Sequence, residues 1–252
     1  MILSYGDIEK IAEKHLLGYY GRFFITEWAV KPIPVENFAS DYLRLRLETA
    51  KLSDDGTLIG LTTYADTDID LDRNCTTEAI HVKKDTILID ESVIPLNDRE
   101  IGEIGRFRFT VIHECAHQIV FRMKTEKQRQ EMERMYSMRS YTVHELKTLD
   151  DWAEWQANAL AAAILMPKRY IDMILRGRRI KFYGKRPGWH DSDIFYSMCG
   201  KFGVSITAMI IRLKQLGYSE HYPEYEYHDP WNIICDDKYI AQQEREGILC
   251  QV

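Results

Sequence analysis

A chain of 252 residues, 45% of them hydrophobic, can bury one large core or a core with a smaller helical unit beside it. A formal net charge of −6 and a sequence pI near 5.8 speak against a surface built as a whole to hold nucleic acid. No apolar run approaches a membrane span, and the start Met1-Ile-Leu-Ser-Tyr-Gly-Asp-Ile-Glu-Lys10 lacks the basic region and long apolar stretch of a secretory signal, so the expected location is the cytoplasm. Cysteines at 75, 115, 199, 235 and 250 are odd in number, widely spread and without a Cys-x-x-Cys pair, which argues against a disulfide framework or a structural zinc knuckle.

In chain order, residues 5 to 20 have the spacing of a helix, with Ile8, Ile11, Ala12, His15 and Leu16 on one face. Pro32 and Pro34 lead into a short helix around Val35 to Asp41. Two strand-like runs follow, Leu43 to Ala50 and Thr57 to Tyr64, joined by Ser53-Asp54-Asp55-Gly56. An Asp-Gly pair suits a tight turn with positive φ, so the pair reads as a hairpin. A third run, Thr86 to Asp90, supplies another strand.

The segment Arg108 to Val120 has no Pro or Gly and reads as a helix carrying His113-Glu114-Cys115-Ala116-His117. Residues i and i+4 share a helix face about 6 Å apart along the axis, and two imidazoles on that face can converge on one Zn2+ at roughly 2 Å each. Glu114 then stands beside the metal as a base for water. The alternative is a helix whose histidines are solvated or satisfied in a core. Residues Lys124 to Lys147, rich in charge, read as a solvated helix and connector. Leu149 to Pro167 reads as a buried helix, with Asp150 or Asp151 able to cap it and with Ala153, Ala157, Leu160, Ala161, Ile164 and Leu165 at helical spacing. Near its start stands Glu154, with Asn158 one turn on. Glu154 is either a third ligand whose charge the metal compensates or a solvated carboxylate favouring the helix N-terminus.

Past Pro167 the chain stays mostly helical. Gly177 to Pro187 forms a basic, Gly-punctuated loop, followed by His190; the loop either holds an acidic or polar substrate beside the cleft or is simply solvated. Tyr183 and His190 are candidates for stabilising an oxyanion. Phe202 to Gly217 has the pattern of a helix-turn-helix, which raises DNA binding as a competing function. Arg212 and Lys214 give too little basic surface for it, although Arg176, Arg178, Arg179, Lys181, Lys185 and Arg186 nearby keep it open. The preferred reading is a helical layer on the two motif-bearing helices. From residue 218 a Tyr-rich, acidic tail docks on the core or on a partner.

Arg-Phe-Thr-x-x-His-Glu-x-x-His at 108 to 117, Glu-x-Gln-Ala-Asn-x-x-Ala-x-x-Ile-Leu-Met-Pro at 154 to 167 and the helical segment 202 to 217 together resemble the ImmA/IrrE family of zinc metallopeptidases over roughly residues 40 to 217. The second motif discriminates, since many unrelated zincins share the first. The resemblance implies an α+β fold. Residues 1–170 would form a zincin-like core, with a small antiparallel sheet packed on the His-Glu-x-x-His helix and on a second, Glu-bearing helix; residues 171–252 would follow as a mainly helical region. It implies one Zn2+ on His113, His117 and Glu154, with Glu114 as general base; Asn158, Tyr183 and His190 are left as candidates to support the ligands or the oxyanion. Zincins often receive an extended peptide along a sheet edge, which would place it on Thr86 to Asp90 unless that run is an ordinary core strand. Cys115 and Leu160 depart from the family's usual residues. Cys115 lies about 200° around the helix from His113 and should face the core, which leaves a Cys-His nucleophile without geometry. The implied activity is limited cleavage of a protein partner such as a transcriptional repressor, often encoded beside the enzyme on a mobile element or in a stress operon. The competing reading is a non-proteolytic or DNA-associated regulator that retains a zinc site.

Overall fold

Ser4 opens the first helix, α1 (Tyr5–Tyr20). Its hydroxyl accepts from the Asp7 amide and the Asp7 carboxylate accepts from the Ser4 amide, which satisfies two donors the helix start would leave orphaned. Ile8, Ala12 and Leu16 bury the expected face, with Ile11 and His15 at its margin. The computed structural model describes residues 3–21, 31–54, 56–73, 76–95, 101–138, 141–142 and 151–227. A short helix α2 (Val35–Asn37) runs into a π-helical turn over Phe38–Tyr42, one residue beyond the expected end.

Five strands come next: β1 (Arg46–Ala50), β2 (Gly60–Thr62), β3 (Thr67–Arg73), β4 (Thr76–Val82) and β5 (Thr86–Asp90). The expected hairpin between the first two runs does not form. β5 lies between them, parallel to β1 with Arg46 opposite Thr86 and antiparallel to β2 with Gly60 opposite Ile89. The reason is burial: all five residues of β5 are buried, so it takes the position covered on both sides, whereas β1 is largely exposed and belongs at an edge. The sheet is therefore mixed, not antiparallel. With both of its edges hydrogen-bonded, β5 is the core strand of the two readings and cannot receive a peptide. Gly56 does adopt the positive φ (66°) that Asp-Gly suggested. Its turn belongs to a longer connection held by Asp90, whose carboxylate accepts from the Leu52 amide at 2.6 Å. Burial pushes that carboxyl up, but hydrogen bonds from Ser92, Leu52 and Ser53 hold it below its ordinary value.

The β3–β4 hairpin was not anticipated, although Ile69 and Leu71 alternate with Asp68 and Asp70 in the manner of a half-buried strand. Its buried side chains join Tyr64, Phe121 and Tyr136 in a second apolar cluster. Helix α3 (Ile101–Arg122) begins seven residues before the expected Arg108, and α4 (Glu126–Ser137) is opened by a Thr125–Gln128 capping box. A two-residue strand β6 (Tyr141–Thr142) pairs parallel to β3. Helix α5 (Asp151–Leu165) matches the second expected helix. Its predicted cap at Asp150 or Asp151 lies outside the described residues and side chains. α3 packs on α5 and α1 packs on α5, and Val111, Ile112, Cys115, Ala116 and Ile119 of α3 share one buried core with Ala157, Leu160, Ala161 and Ile164 of α5.

Helices still dominate after Pro167: α6 (Lys168–Leu175), α7 (Trp189–Phe202) and α8 (Ile206–Leu216). The basic segment is not a loop, however. Ile180–Tyr183 (β7) pairs antiparallel with Arg186–Pro187 (β8), and Ser219–Tyr222 (β9), from the Tyr-rich region, pairs parallel to β7. The inward alternation of Ile180 and Phe182 drives this, since both are fully buried. α7 and α8 meet at 105° across Gly203, which has φ 61°. One apolar core runs from Leu3 to Leu213. The part of the tail beyond residue 227 lies outside the described residues. Among the described residues no single helix is long and apolar enough to cross a membrane.

Arg212 is 1% exposed and donates two hydrogen bonds to Glu9, at 2.6 and 2.9 Å, and a third to the Met166 carbonyl at 3.1 Å. It ties α8 to α1 and to the end of α5. Removing the carboxylate would leave a buried guanidinium uncompensated, so Glu9→Ala should lower the unfolding free energy by about 2–3 kcal/mol in a denaturant titration. Adding Arg212→Met to that variant should restore part of the loss; an equal loss in both would assign the effect to packing rather than charge.

Candidate metal centre

His113 and His117 project from the same face of α3, four residues apart, and their Nε2 atoms lie 3.0 Å from each other. Glu154, in the first turns of α5, reaches across the helix interface. Its Oε2 is 3.3 Å from His113 Nε2, and its Oε1 is 3.2 Å from His117 Nε2. The three side chains form a group whose ligand atoms all lie within 4.8 Å of one another, which could hold a metal ion. The donor chemistry fits one: two imidazole nitrogens and a carboxylate converge, three lone-pair donors that need a cation or shared protons between them. Hydrogen bonds from His113 and then His117 hold the Glu154 carboxyl well below its ordinary range, against the burial that pushes it up. Glu154 is thus half-buried and anionic, and the reading of it as a purely solvated carboxylate does not describe its surroundings.

Glu114 is buried and does not belong to the ligand group. It faces β2, and a methyl group on Gly60 would lie 2.8 Å from its Oε1. A small cleft of about 40 Å³ is lined by Gly60, Leu61 and Thr62 of β2, by Glu114, His117 and Glu154, and by Tyr64 and Tyr136. That is room for a water molecule held by polar groups. β2 pairs with β5 on one side and with no other strand among the described residues. A much larger groove, about 560 Å³, lies between α1 and the α5–α6 corner. Its Glu9 is engaged by Arg212 and its Lys168 by Asp172, and no cluster of three metal-ligating side chains lies there among the described residues.

Cys115 faces the core at 0% exposure, and burial pushes its thiol far up, which removes it as a nucleophile. Asn158 is exposed and does not line the cleft. Neither do Tyr183 and His190. Tyr183 stacks on Tyr222 in the third sheet, at 5.4 Å between ring centroids, and His190 is exposed at the start of α7, its carbonyl accepting from Arg178. The oxyanion expectation for these two is therefore set aside: Tyr183 belongs to the third sheet and His190 to α7, and neither lines the cleft. Cleft residues that sequence reasoning passed over are Gly60, Thr62, Tyr64 and Tyr136. Gly60 carried a signal, since a glycine inside a strand-like run marks a close backbone approach. Tyr136 carried none, because only the packing of α4 brings it in.

No protein-family model matches this chain, and no curated protein matches it.

If Glu154 completes the ligand set, Glu154→Ala should reduce bound metal from about one equivalent to a small fraction after loading with zinc and desalting, measured by elemental analysis. Cys115→Ala should leave the stoichiometry unchanged. Full metal retention in Glu154→Ala would remove that residue from the centre.

Proposed function

We infer that this protein is a zinc-dependent endopeptidase of the ImmA/IrrE type with a zincin-like core. The observation that carries the reading is the meeting of His113, His117 and Glu154 within 3.3 Å, with a buried carboxylate, Glu114, next in sequence to the first ligand but outside the ligand group. A bound zinc ion would supply a Lewis acid for the scissile carbonyl and lower the pKa of water to about 7. The chain's own residues do the rest. Glu114 accepts a proton from the attacking water on its carboxylate and delivers it to the nitrogen of the leaving amine. Among the described residues β2 has no strand on its second side, and the amides and carbonyls of Gly60 to Thr62 there would take an extended peptide, which replaces β5 as the strand for peptide addition. Tyr64 and Tyr136 line the cleft beside the peptide path.

The proposed substrate is a regulatory protein such as a transcriptional repressor, cut at a limited number of bonds in the cytoplasm; this follows the family resemblance. A DNA-associated regulator is the second reading, favoured by the 105° bend between α7 and α8. The charge distribution supports it poorly. Arg212 is consumed by Glu9, Arg178 pairs with Asp191, and Arg179 lies 3.8 Å from Glu220, so part of the basic surface is neutralised within the fold.

Glu114→Gln should abolish hydrolysis, by at least about 100-fold, while zinc content stays at the wild-type level. Used as bait in a pulldown read by mass spectrometry, this variant should retain an intact partner that the wild type cuts. Cleavage by Glu114→Gln at the wild-type rate would sink the mechanism. A salt-sensitive shift of DNA by the same variant, with its cellular phenotype intact, would favour the regulator reading.

A further inference from the structure

Thr110, Glu114 and Gln118 stand at successive i, i+4 positions of α3 and form one polar stripe, with exposures of 3%, 5% and 0%. Polar side chains buried this deeply need a compensating role. All three face β2. At one end of the contact, a methyl group on Gly60 would lie 2.7 Å from Thr110 Cγ2, 2.8 Å from Glu114 Oε1 and 3.2 Å from Glu114 Cγ. Gly60 is not among the glycines with positive φ, so close approach rather than backbone conformation is what demands glycine. At the other end, the Gln118 amide nitrogen donates to Thr62 Oγ1 at 2.8 Å and to the Thr63 carbonyl at 2.9 Å. Thr62 Oγ1 donates onward to the Thr86 carbonyl at 3.4 Å, which ties the contact to β5.

The two ends are matched in pitch. Four residues of helix advance about 6 Å and two residues of strand about 6.6 Å. Gly60 on Glu114 and Thr62 on Gln118 therefore repeat at one spacing, and they hold β2 in a single register along α3. A slip of one residue would exchange the faces of the strand and bring the Leu61 side chain against Glu114.

Resting on the peptidase reading, we propose that Gly60 and Gln118 are positioning residues of the reaction: together they hold the Glu114 carboxylate against β2, on whose second side no strand of the described residues pairs and where the scissile bond of an added peptide would pass. Neither belongs to the ligand group. Gly60 sets how closely the strand approaches the base, and Gln118 sets where along the helix it does so.

The test compares zinc-loaded wild type, Gly60→Ala, Gln118→Met and Gly60→Ala/Thr110→Ser on oxidised insulin B chain as an unstructured probe. Zinc content, thermal midpoint and the visible spectrum of the Co2+-loaded form are companion readouts. Misplacing the base by about an ångström predicts a kcat lower by about 100-fold in Gly60→Ala and about 10-fold in Gln118→Met. KM should move by less than about twofold, with metal retained. The Co2+ spectrum of Gly60→Ala should shift toward that of Glu114→Gln. Deleting the Thr110 methyl should recover the thermal midpoint of Gly60→Ala without its rate, because the contact with Glu114 remains. Wild-type rates and spectra in both single variants would overturn the proposal alone, as would full recovery of rate by Thr110→Ser. If wild type leaves the probe uncut, the Co2+ spectra decide in the same way. A wild type that binds no metal would bring down the peptidase reading, and this proposal with it.

Discussion

The reach of Glu154 from one helix to two imidazoles on another is the contact on which the centre rests. A carboxylate at 3.2 and 3.3 Å from the two Nε2 atoms requires α3 and α5 to lie close and in one register. Small side chains at the interface permit this. Ala116 on α3 and Ala157 and Ala161 on α5 are each fully buried, and the separation of packed helices follows the size of the residues between them. The carboxyl is then partly desolvated, and the two histidines offset that cost, as its depressed pKa reflects. Gln156, buried two residues on, accepts from the Leu3 amide and Trp155 meets the Tyr5 ring at 5.1 Å, so α1 steadies α5 from behind.

The sheet solves a second problem, that of leaving an edge beside the proposed base. Placing the most apolar strand, β5, in the centre satisfies its backbone on both sides and leaves β2, next to Glu114, without a second strand partner among the described residues. The absence of a side chain on Gly60 and the amide of Gln118 join that strand to the helix. Polar residues in this interface do what an apolar contact would not: hydrogen bonds from Gln118 to Thr62 and Thr63 discriminate between registers, whereas apolar packing would tolerate sliding.

Beyond Pro167 several charged groups are paired within the fold. Arg212 bridges Glu9 and the Met166 carbonyl, Arg178 meets Asp191, and Tyr218 donates to Asp172 at 2.6 Å. The two-helix turn around Gly203 keeps the shape of a DNA reader, but the arginine on its second helix supports the core instead. In the same way, a segment that looks like a basic loop is a hairpin whose apolar residues, Ile180 and Phe182, are buried.

The parts that could be read from residues alone are those whose physics is local. α1, α3 and α5 follow from 3.6-residue periodicity, and the pairing of His113 with His117 needs nothing outside one helix, because i and i+4 always share a face. The burial of Cys115 followed from the same angular argument. Glu154 could be nominated for its position in an apolar helix, but its distance to the histidines belongs to the α3–α5 interface. Strand order could not be read at all: Asp-Gly correctly marked a positive φ at Gly56, yet which strands pair depends on which one is covered on both faces. The same holds for Tyr136, brought to the cleft by α4, and for Tyr183 in the third sheet and His190 on α7, neither of which lines it. Local geometry thus sets the candidate ligands and the proposed base on one helix, while long-range burial chose which strand, which tyrosines and which charges stand beside them.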